Sequence, residues 1–312
     1  MRKAKLIFVP IPGIGHLAPI LEFAKWLFDR YDQFSLHHPI IVHNFSVFLG
    51  DTPSLDLFSK SSEKVFFFFS DFVESHKSHV RDAIINHVLP DSTSNSVPLV
   101  GLVLDFFCTA MIDVGKELCI PLYLFFTSTA AFLSLMLYLP SRHDQIGHEF
   151  EESDPESIIP GYAGPVPTRA LPSFLFNKHV GYLSLLNYGR RFKEVEVLLN
   201  TLEELESHAL KSLMEYSIST PPIYPLGPLI GKGQKILFHT HKAQNDEIMK
   251  WLDHQPPSSV VFLCFGSLGS FDEPQLIEIA SGLERSGFRL LWSVRKDTGK
   301  RQSQSTKEIH QY

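Results

Sequence analysis

Basic charge is scarce in this chain, and so is cysteine. Against 28 lysines and arginines stand 34 aspartates and glutamates, giving a net charge of −6 and a pI near 6.2. The electrostatic footprint of a nucleic-acid-binding protein is therefore missing. The one dense basic stretch, Lys296 to Lys307, lies in a polar tail. Three cysteines, Cys108, Cys119 and Cys264, are set in apolar runs with no close pairing. That pattern fits buried thiols in a reducing compartment. Long apolar runs are also lacking: Ala130 to Leu139 is about half of the roughly 20 residues a membrane-spanning helix needs. The N-terminus imitates a secretory signal, with Met1-Arg2-Lys3-Ala4-Lys5 before Leu6-Ile7-Phe8-Val9. Pro10, Pro12, Gly13, Gly15 and His16 interrupt it too early. The expectation is a cytoplasmic protein with no stable membrane insertion and no nucleic-acid partner. No G-x-x-x-x-G-K-[ST] loop occurs, nor a G-x-G-x-x-G with its ribose-binding acid, so NTPases and dehydrogenases lack their fingerprints here.

What is present is a 312-residue chain, 44% hydrophobic, long enough for two domains at about 100–200 residues each. Strand-length apolar runs at Lys5–Pro10, Pro39–Val47, Val65–Phe69, Val100–Phe107, Pro121–Phe126 and Val195–Asn200 alternate with helical spacing. Leu17, Ile20, Leu21, Ala24, Leu27 and Phe28 form the clearest helical stripe, over Leu17–Asp29. His79–Leu89, Thr109–Leu118, Thr127–Leu139 and Leu202–Tyr216 follow suit. This alternation predicts an α/β fold with a parallel sheet covered on both faces. Residues 141–175, with Asp144, Glu149, Glu151, Glu152, Asp154, Glu156 and five prolines, read as a long surface excursion of the kind that forms lids or binding loops. Residues 221–243, opening on Pro221-Pro222-Ile223-Tyr224-Pro225, read as an extended linker.

Beyond the linker come a short helix at Asn245–His254, a buried strand over Ser258–Phe265, a Gly-Ser turn at Gly266–Ser270, a helix Pro274–Ser286 stopped by Gly287, and a strand Phe288–Val294. The strand–glycine turn–helix device of the N-terminus thus appears a second time. The expected organisation is residues 1–220 as one complete Rossmann-like lobe, 221–243 as linker, 244–296 as the start of a second lobe, and 297–312 as a disordered tail.

Pro12-Gly13-Ile14-Gly15-His16 lies between the first strand and the first helix. A helix start after a glycine turn makes a cradle for an anionic or hydroxylic ligand, and a histidine there can exchange a proton near neutral pH. Asp105 ends another strand, Gly101 to Phe107. In a doubly wound sheet, ligands sit beyond the carboxyl ends of the strands. A carboxylate on one imidazole nitrogen fixes the tautomer and leaves the other nitrogen to take a proton from a hydroxyl. The competing readings are a capping or core histidine and an aspartate that merely closes a strand. The two residues together at one sheet edge favour chemistry. In Gly266-Ser267-Leu268-Gly269, backbone N–H groups and the Ser267 hydroxyl suit a diphosphate, although ordinary Gly-Ser turns look the same. Among Thr127-Ser128-Thr129, at least one hydroxyl caps the following helix, and another faces the ligand edge. His239 and His241 have no nearby carboxylate or cysteine at ligand spacing and read as solvated loop residues, so no metal site is expected.

These motifs resemble a known family. Pro12-Gly13-Ile14-Gly15-His16-Leu17, Leu102 to Cys108, Pro222 to Pro228, Trp251-Leu252-Asp253 and Ser259 to Ser267 are similar, in the family's order, to plant UDP-sugar-dependent glycosyltransferases of small molecules. The resemblance covers residues 1 to about 296. It implies two Rossmann-like lobes of GT-B type and an inverting transfer from a UDP-sugar, glucose first among them, to a hydroxyl of a small lipophilic acceptor such as a flavonoid. His16 would be the base and Asp105 its partner. Gly15 and Thr127 would approach the sugar donor, and Ser267 its phosphates. Phe126 stands where many relatives carry tryptophan. The resemblance implies a UDP-sugar co-substrate, no metal or other cofactor, and no obligate protein partner.

One departure from the family is large. Its donor signature, running from Trp-Ala-Pro-Gln through His-Cys-Gly-Trp-Asn-Ser to a glutamate, does not occur in these 312 residues. The expectation is a C-terminally truncated, partial second lobe. It would lack most donor contacts, expose the apolar residues of Val260–Phe265 and Leu290–Trp292, and leave the chain aggregation-prone with low or no activity. A non-catalytic small-molecule-binding fragment is the alternative; a nucleotide-dependent oxidoreductase is disfavoured by the missing fingerprint.

Overall fold

In a computed structural model of the chain, the structure describes residues 4–11, 14–31, 62–89, 98–176, 181–215, 220–229, 242–266, 271–294 and 308–311. The chain divides into two compact units, Met1–Gly231 and Lys232–Tyr312.

The first unit is built on five parallel strands in the order β1-β2-β3-β4-β5: Lys5–Val9, Leu99–Asp105, Leu122–Phe126, Glu196–Leu199 and Ile223–Pro225. Successive side chains of a strand point to opposite faces, and both faces here are apolar. Leu102, Leu104, Leu124 and Phe126 join the main core, whereas Phe8, Val103 and Phe125 face the other way. Helix α1, Ile14–Arg30, covers that second face with Ile20 and Phe23. Phe23 stacks on Phe125 at 5.2 Å and meets the edge of Phe8 at 5.9 Å.

The main core lies under α2 (Ser62–Ser75), α3 (Lys77–Ala83), a π-helical turn at Ile84–Val88, α4 (Met111–Glu117), α5 (Ala130–Ile146), α6 (Gly181–Phe192) and α7 (Glu203–Glu215). Helix α5 begins after its cap Thr129 and ends at Gly147, whose φ of 85° takes the left-handed form that favours glycine.

Several expectations are corrected. Val65–Phe69 is not a strand but part of α2. A short apolar run cannot be told from a buried helical segment by periodicity, and here Phe69 and Val73, one turn apart, both enter the core. Ile223–Pro225, expected within a linker, is instead the edge strand of the sheet, pairing with Val197–Leu199. Helix α6 was not read from the sequence. Its buried stripe of Tyr182, Leu185, Leu186, Gly189 and Phe192 has helical spacing, and Gly189 lets it press against α5. The Pro39–Val47 strand lies outside the described residues.

The excursion after α5 is fastened. Arg142, buried in α5, donates to the carbonyls of His148 (2.8 Å) and Glu149 (3.4 Å) and to Asp154 Oδ2 (2.7 Å), with its guanidinium 3.6 Å from the centre of the Phe150 ring. Thr168 donates to the carbonyls of Asp154 and Pro155, and Ser157 pairs with Val166. Ile159, Leu171 and Leu175 then complete the core. This segment is a prefolded strap.

In the second unit, helix α8 (Lys242–Asp253) precedes a sheet in which β6 (Val260–Cys264) runs parallel to β7 (Arg289–Val294), and β8 (Glu308–Gln311) runs antiparallel to it. Helix α9, Glu273–Ser286, carries a capping box from Asp272 and Gln275 and ends at left-handed Gly287. The tail expected to be disordered therefore contributes a strand at Glu308–Gln311. Exposure of the strand side chains divides. Val261 and Phe262 are exposed, Phe262 to 62%, but Leu290 and Leu291 are buried, β7 being flanked on both sides.

Two outcomes follow. A Cβ on Gly189 would stand 2.1 Å from the Met136 carbonyl oxygen, a backbone atom that cannot swing aside. Gly189→Ala should cost about 1–3 kcal/mol in urea unfolding. Asp113 of α4 joins three helices: Lys77 donates to it at 2.6 Å and Arg191 at 2.5 Å. Partial burial raises its pKa, but the two hydrogen bonds and the cations behind them outweigh this and hold it below its ordinary value. A depressed carboxylate stabilises the fold above its unfolded pKa and loses that contribution as pH falls through the folded one. Asp113→Asn should therefore be less stable than wild type at neutral pH, and thermal melts should converge as pH drops below about 3.9.

Candidate active site

Strands β1 and β2 are neighbours, with Val9 paired to Leu104. The chain leaving β1 and the end of β2 consequently emerge at the same edge. His16, in the first turn of α1, and Asp105, the last residue of β2, are 89 positions apart in sequence, yet His16 Nδ1 lies 2.9 Å from Asp105 Oδ2. Asp105 is fully buried. Its other oxygen accepts from the Phe107 N–H at 3.0 Å, and its carbonyl accepts from Cys108 N at 2.7 Å. A carboxylate only accepts, so Nδ1 carries the proton of this contact, and in the neutral ring the lone pair falls on Nε2. The imidazole is 23% exposed, and the rings of Phe106 and Phe107 lie 5.2 and 5.1 Å from it. The arrangement pairs an anchored imidazole with an apolar, aromatic surround.

The remaining candidates are distributed as follows. Gly15 adjoins His16, and a Cβ built there would meet no atom within 4 Å. Thr127 follows β3, next to β2, half-buried at the same carboxyl edge. Of the three neighbouring hydroxyls, Thr129 is the cap, accepting from Phe132 N at 3.1 Å. Phe126 is wholly buried among Phe106, Phe132 and Phe192. Ser267 lies outside the described residues, as do His239 and His241. Gly266, just before Ser267, takes φ 75°.

Cys108 is close in sequence, but burial, and then the charge of Asp105, push its thiol well above the usual range. It stays protonated and is no nucleophile. Among the described residues, no three His, Cys, Asp or Glu side chains gather as a metal site would require, and no helix is long and apolar enough to cross a membrane.

Sequence reasoning missed Glu206, which reaches α5 from α7, and Asn200, whose Oδ1 accepts from Leu229 N at 2.7 Å. Both lie just past β4, and their contacts join segments far apart in sequence, a relation no local pattern carries.

The parallel α/β sheet carries a His–Asp pair at its carboxyl edge, and comparison with known proteins gives the family. No family model matches the chain. It is 40% identical to UDP-glycosyltransferase 71K1 of Malus domestica (96% of this chain, 67% of that protein) and to UDP-glycosyltransferase 71E1 of Stevia rebaudiana (99% and 67%). It is also 40% identical to UDP-glucose flavonoid 3-O-glucosyltransferase 6 of Fragaria ananassa (95% and 66%). Among solved structures, Medicago truncatula UGT71G1 complexed with UDP-glucose superposes with a TM-score of 0.77 at 40% identity, over 94% of this chain and 67% of that one. Phytolacca americana UGT2, complexed with UDP-2fluoro-glucose and pterostilbene, gives 0.73 at 30% identity, over 94% and 67%. The chain belongs to the plant UDP-glycosyltransferase family, and its fold is of the GT-B class. It spans about two thirds of the length of the relatives it matches.

Asp105→Ala should strip the acceptor from a buried Phe107 N–H and unanchor His16. A loss of about 1–3 kcal/mol in chemical unfolding is expected. Wild-type stability in that variant would show the carboxylate to be structurally idle.

Proposed function

We propose that this chain carries the acceptor side of an inverting O-glycosyl transfer from a UDP-sugar, with glucose as the sugar, to a hydroxyl of a small lipophilic phenol of the flavonoid kind. The 2.9 Å contact between His16 and Asp105 at the sheet edge supports this reading most directly. Nε2 of His16 takes the acceptor's proton while the oxygen attacks the anomeric carbon. The bond from that carbon to the UDP oxygen breaks, its electron pair leaving with UDP, and the single displacement inverts the centre. Asp105 stabilises the imidazolium that forms. Phe106, half-buried beside the His16 ring, offers the planar apolar contact a phenol favours, with buried Phe107 packed behind it.

Gly15 and Thr127 approach the sugar in this reading, and Ser267 its phosphates. Residues 1–220 act as the acceptor-binding lobe and 244–296 open the donor-binding one. In this reading the UDP-sugar is the co-substrate, its leaving group already in place on the anomeric carbon, and no metal is assigned a role. Three free thiols, Cys108, Cys119 and Cys264, suit a cytoplasmic setting.

The test needs no donor. A nitrophenol, whose phenolate absorbs in the visible, is titrated with the protein near pH 6.5. Wild type should raise the ionised fraction of bound phenol, and His16→Ala should bind it within about threefold yet lose that ionisation, the base having contributed a differential of about one pKa unit or more. Equal ionisation by both proteins, or no binding by wild type, would refute the proposal.

A further inference from the structure

The sheet edge beside the His16–Asp105 pair is closed by a carboxylate to which the transfer reading gives no role. Glu206 sits within α7, but its φ of −131° and ψ of 39° depart from helical values. Its Oε2 accepts from Ala130 N at 3.0 Å and from Thr201 Oγ1 at 2.6 Å, and its Oε1 accepts from Ala131 N at 3.4 Å. Thr129 Oγ1 accepts from Phe132 N, and the Thr129 carbonyl from Leu133 N at 3.0 Å. The opening N–H groups of α5, from Ala130 to Leu133, are thus all engaged by protein acceptors.

A helix N-terminus carries roughly half a positive charge and ordinarily draws an anion. At α5 the protein supplies that anion itself. A ligand's phosphate or carboxylate arriving there would find the amides spent and a like charge in place. The same contacts fix the turn that holds Thr127 and Ser128. At its start, the Phe126 carbonyl accepts from Asn200 N at 3.0 Å; at its end, Glu206 holds Ala130 and Ala131. Thr201, which donates to Glu206, is buried, and its own carbonyl accepts from Gly227 N at 2.7 Å. The turn is therefore tied through Glu206 to β4 and to the segment that follows β5.

We propose that Glu206 is a positioning residue. It holds the Thr127 hydroxyl at the ligand edge and biases that edge toward a neutral, hydroxyl-bearing group against an anionic one. For a UDP-sugar, this selects a neutral hexose over a uronate beside Thr127 and sends the diphosphate elsewhere. The inference rests on the transfer reading and adds to it the cause of a sugar preference.

The test compares wild type, Glu206→Gln and Glu206→Ala in the full chain. UDP-glucose and UDP-glucuronate affinities are measured by saturation-transfer NMR, which detects weak binding, and phenol affinity is measured separately. Wild type should prefer UDP-glucose by about tenfold, the effect of one like charge across a partly screened gap. Glu206→Gln, which keeps an oxygen acceptor but no charge, should narrow the preference to within about twofold and leave phenol affinity unchanged. Should Glu206→Ala fail to fold, Glu206→Gln carries the comparison alone. An unchanged ratio, an equal loss of both donors, or a wild type that does not discriminate would overturn the inference while leaving the transfer reading intact. A wild type that binds the phenol but neither UDP-sugar would overturn the sugar assignment in that reading, and this inference with it.

Discussion

A carboxylate with no exposure to water has to be met by donors inside the protein, and Asp105 is met by two. The Phe107 N–H binds one oxygen and the His16 imidazole the other. Leaving either unmade would cost the desolvation of a buried charged group. The first contact comes from the turn that β2 makes as it ends. The second requires that the chain leaving β1 return to the neighbouring strand's edge, which parallel pairing of β1 with β2 enforces. The dyad is in this sense a product of strand order: change the neighbour of β1, and the imidazole has no carboxylate to face.

The rest of the first unit keeps that edge in place. Helix α1 is pinned by the stacking of Phe23 on Phe125. Behind the edge, Phe107 packs on Phe69 of α2 and on Tyr188 of α6. Tyr188 in turn shares a hydrogen bond with Ser70 at 2.9 Å, so the aromatic surround of His16 extends through two covering helices. Arg142 and its partners fasten the segment after α5 with charged and backbone hydrogen bonds, which explains how a stretch rich in proline and acid still contributes to the core.

Much of this was legible in the residues themselves. The near-continuous apolar strands declared a parallel sheet, and the positions of His16 and Asp105 after or at the end of two such strands declared a shared edge. That at least one hydroxyl of Thr127-Ser128-Thr129 caps an apolar helix was legible; that it is Thr129 came from the structure. The failures have physical causes. Val65–Phe69 reads equally well as strand or helix until tertiary packing chooses. Helix α6 hid its stripe behind glycines, Gly181 and Gly189, which are poor helix formers alone and are present because α5 and Phe174 approach so closely. The strand at Ile223–Pro225 is only three residues long and flanked by prolines that suggested a linker. The contacts of Glu206 and Arg142 are long-range or loop-closing hydrogen bonds, set by the folded arrangement and unmarked by any period.

The central claim is that Asp105 fixes the His16 ring with its proton on Nδ1 and its basic nitrogen available at Nε2. Nitrogen-15 NMR of the histidine rings reads this directly. The claim expects His16 at neutral pH to show a protonated Nδ1 and a bare Nε2, with that preference lost in Asp105→Asn. A proton resident on Nε2, or a tautomer indifferent to residue 105, would contradict it.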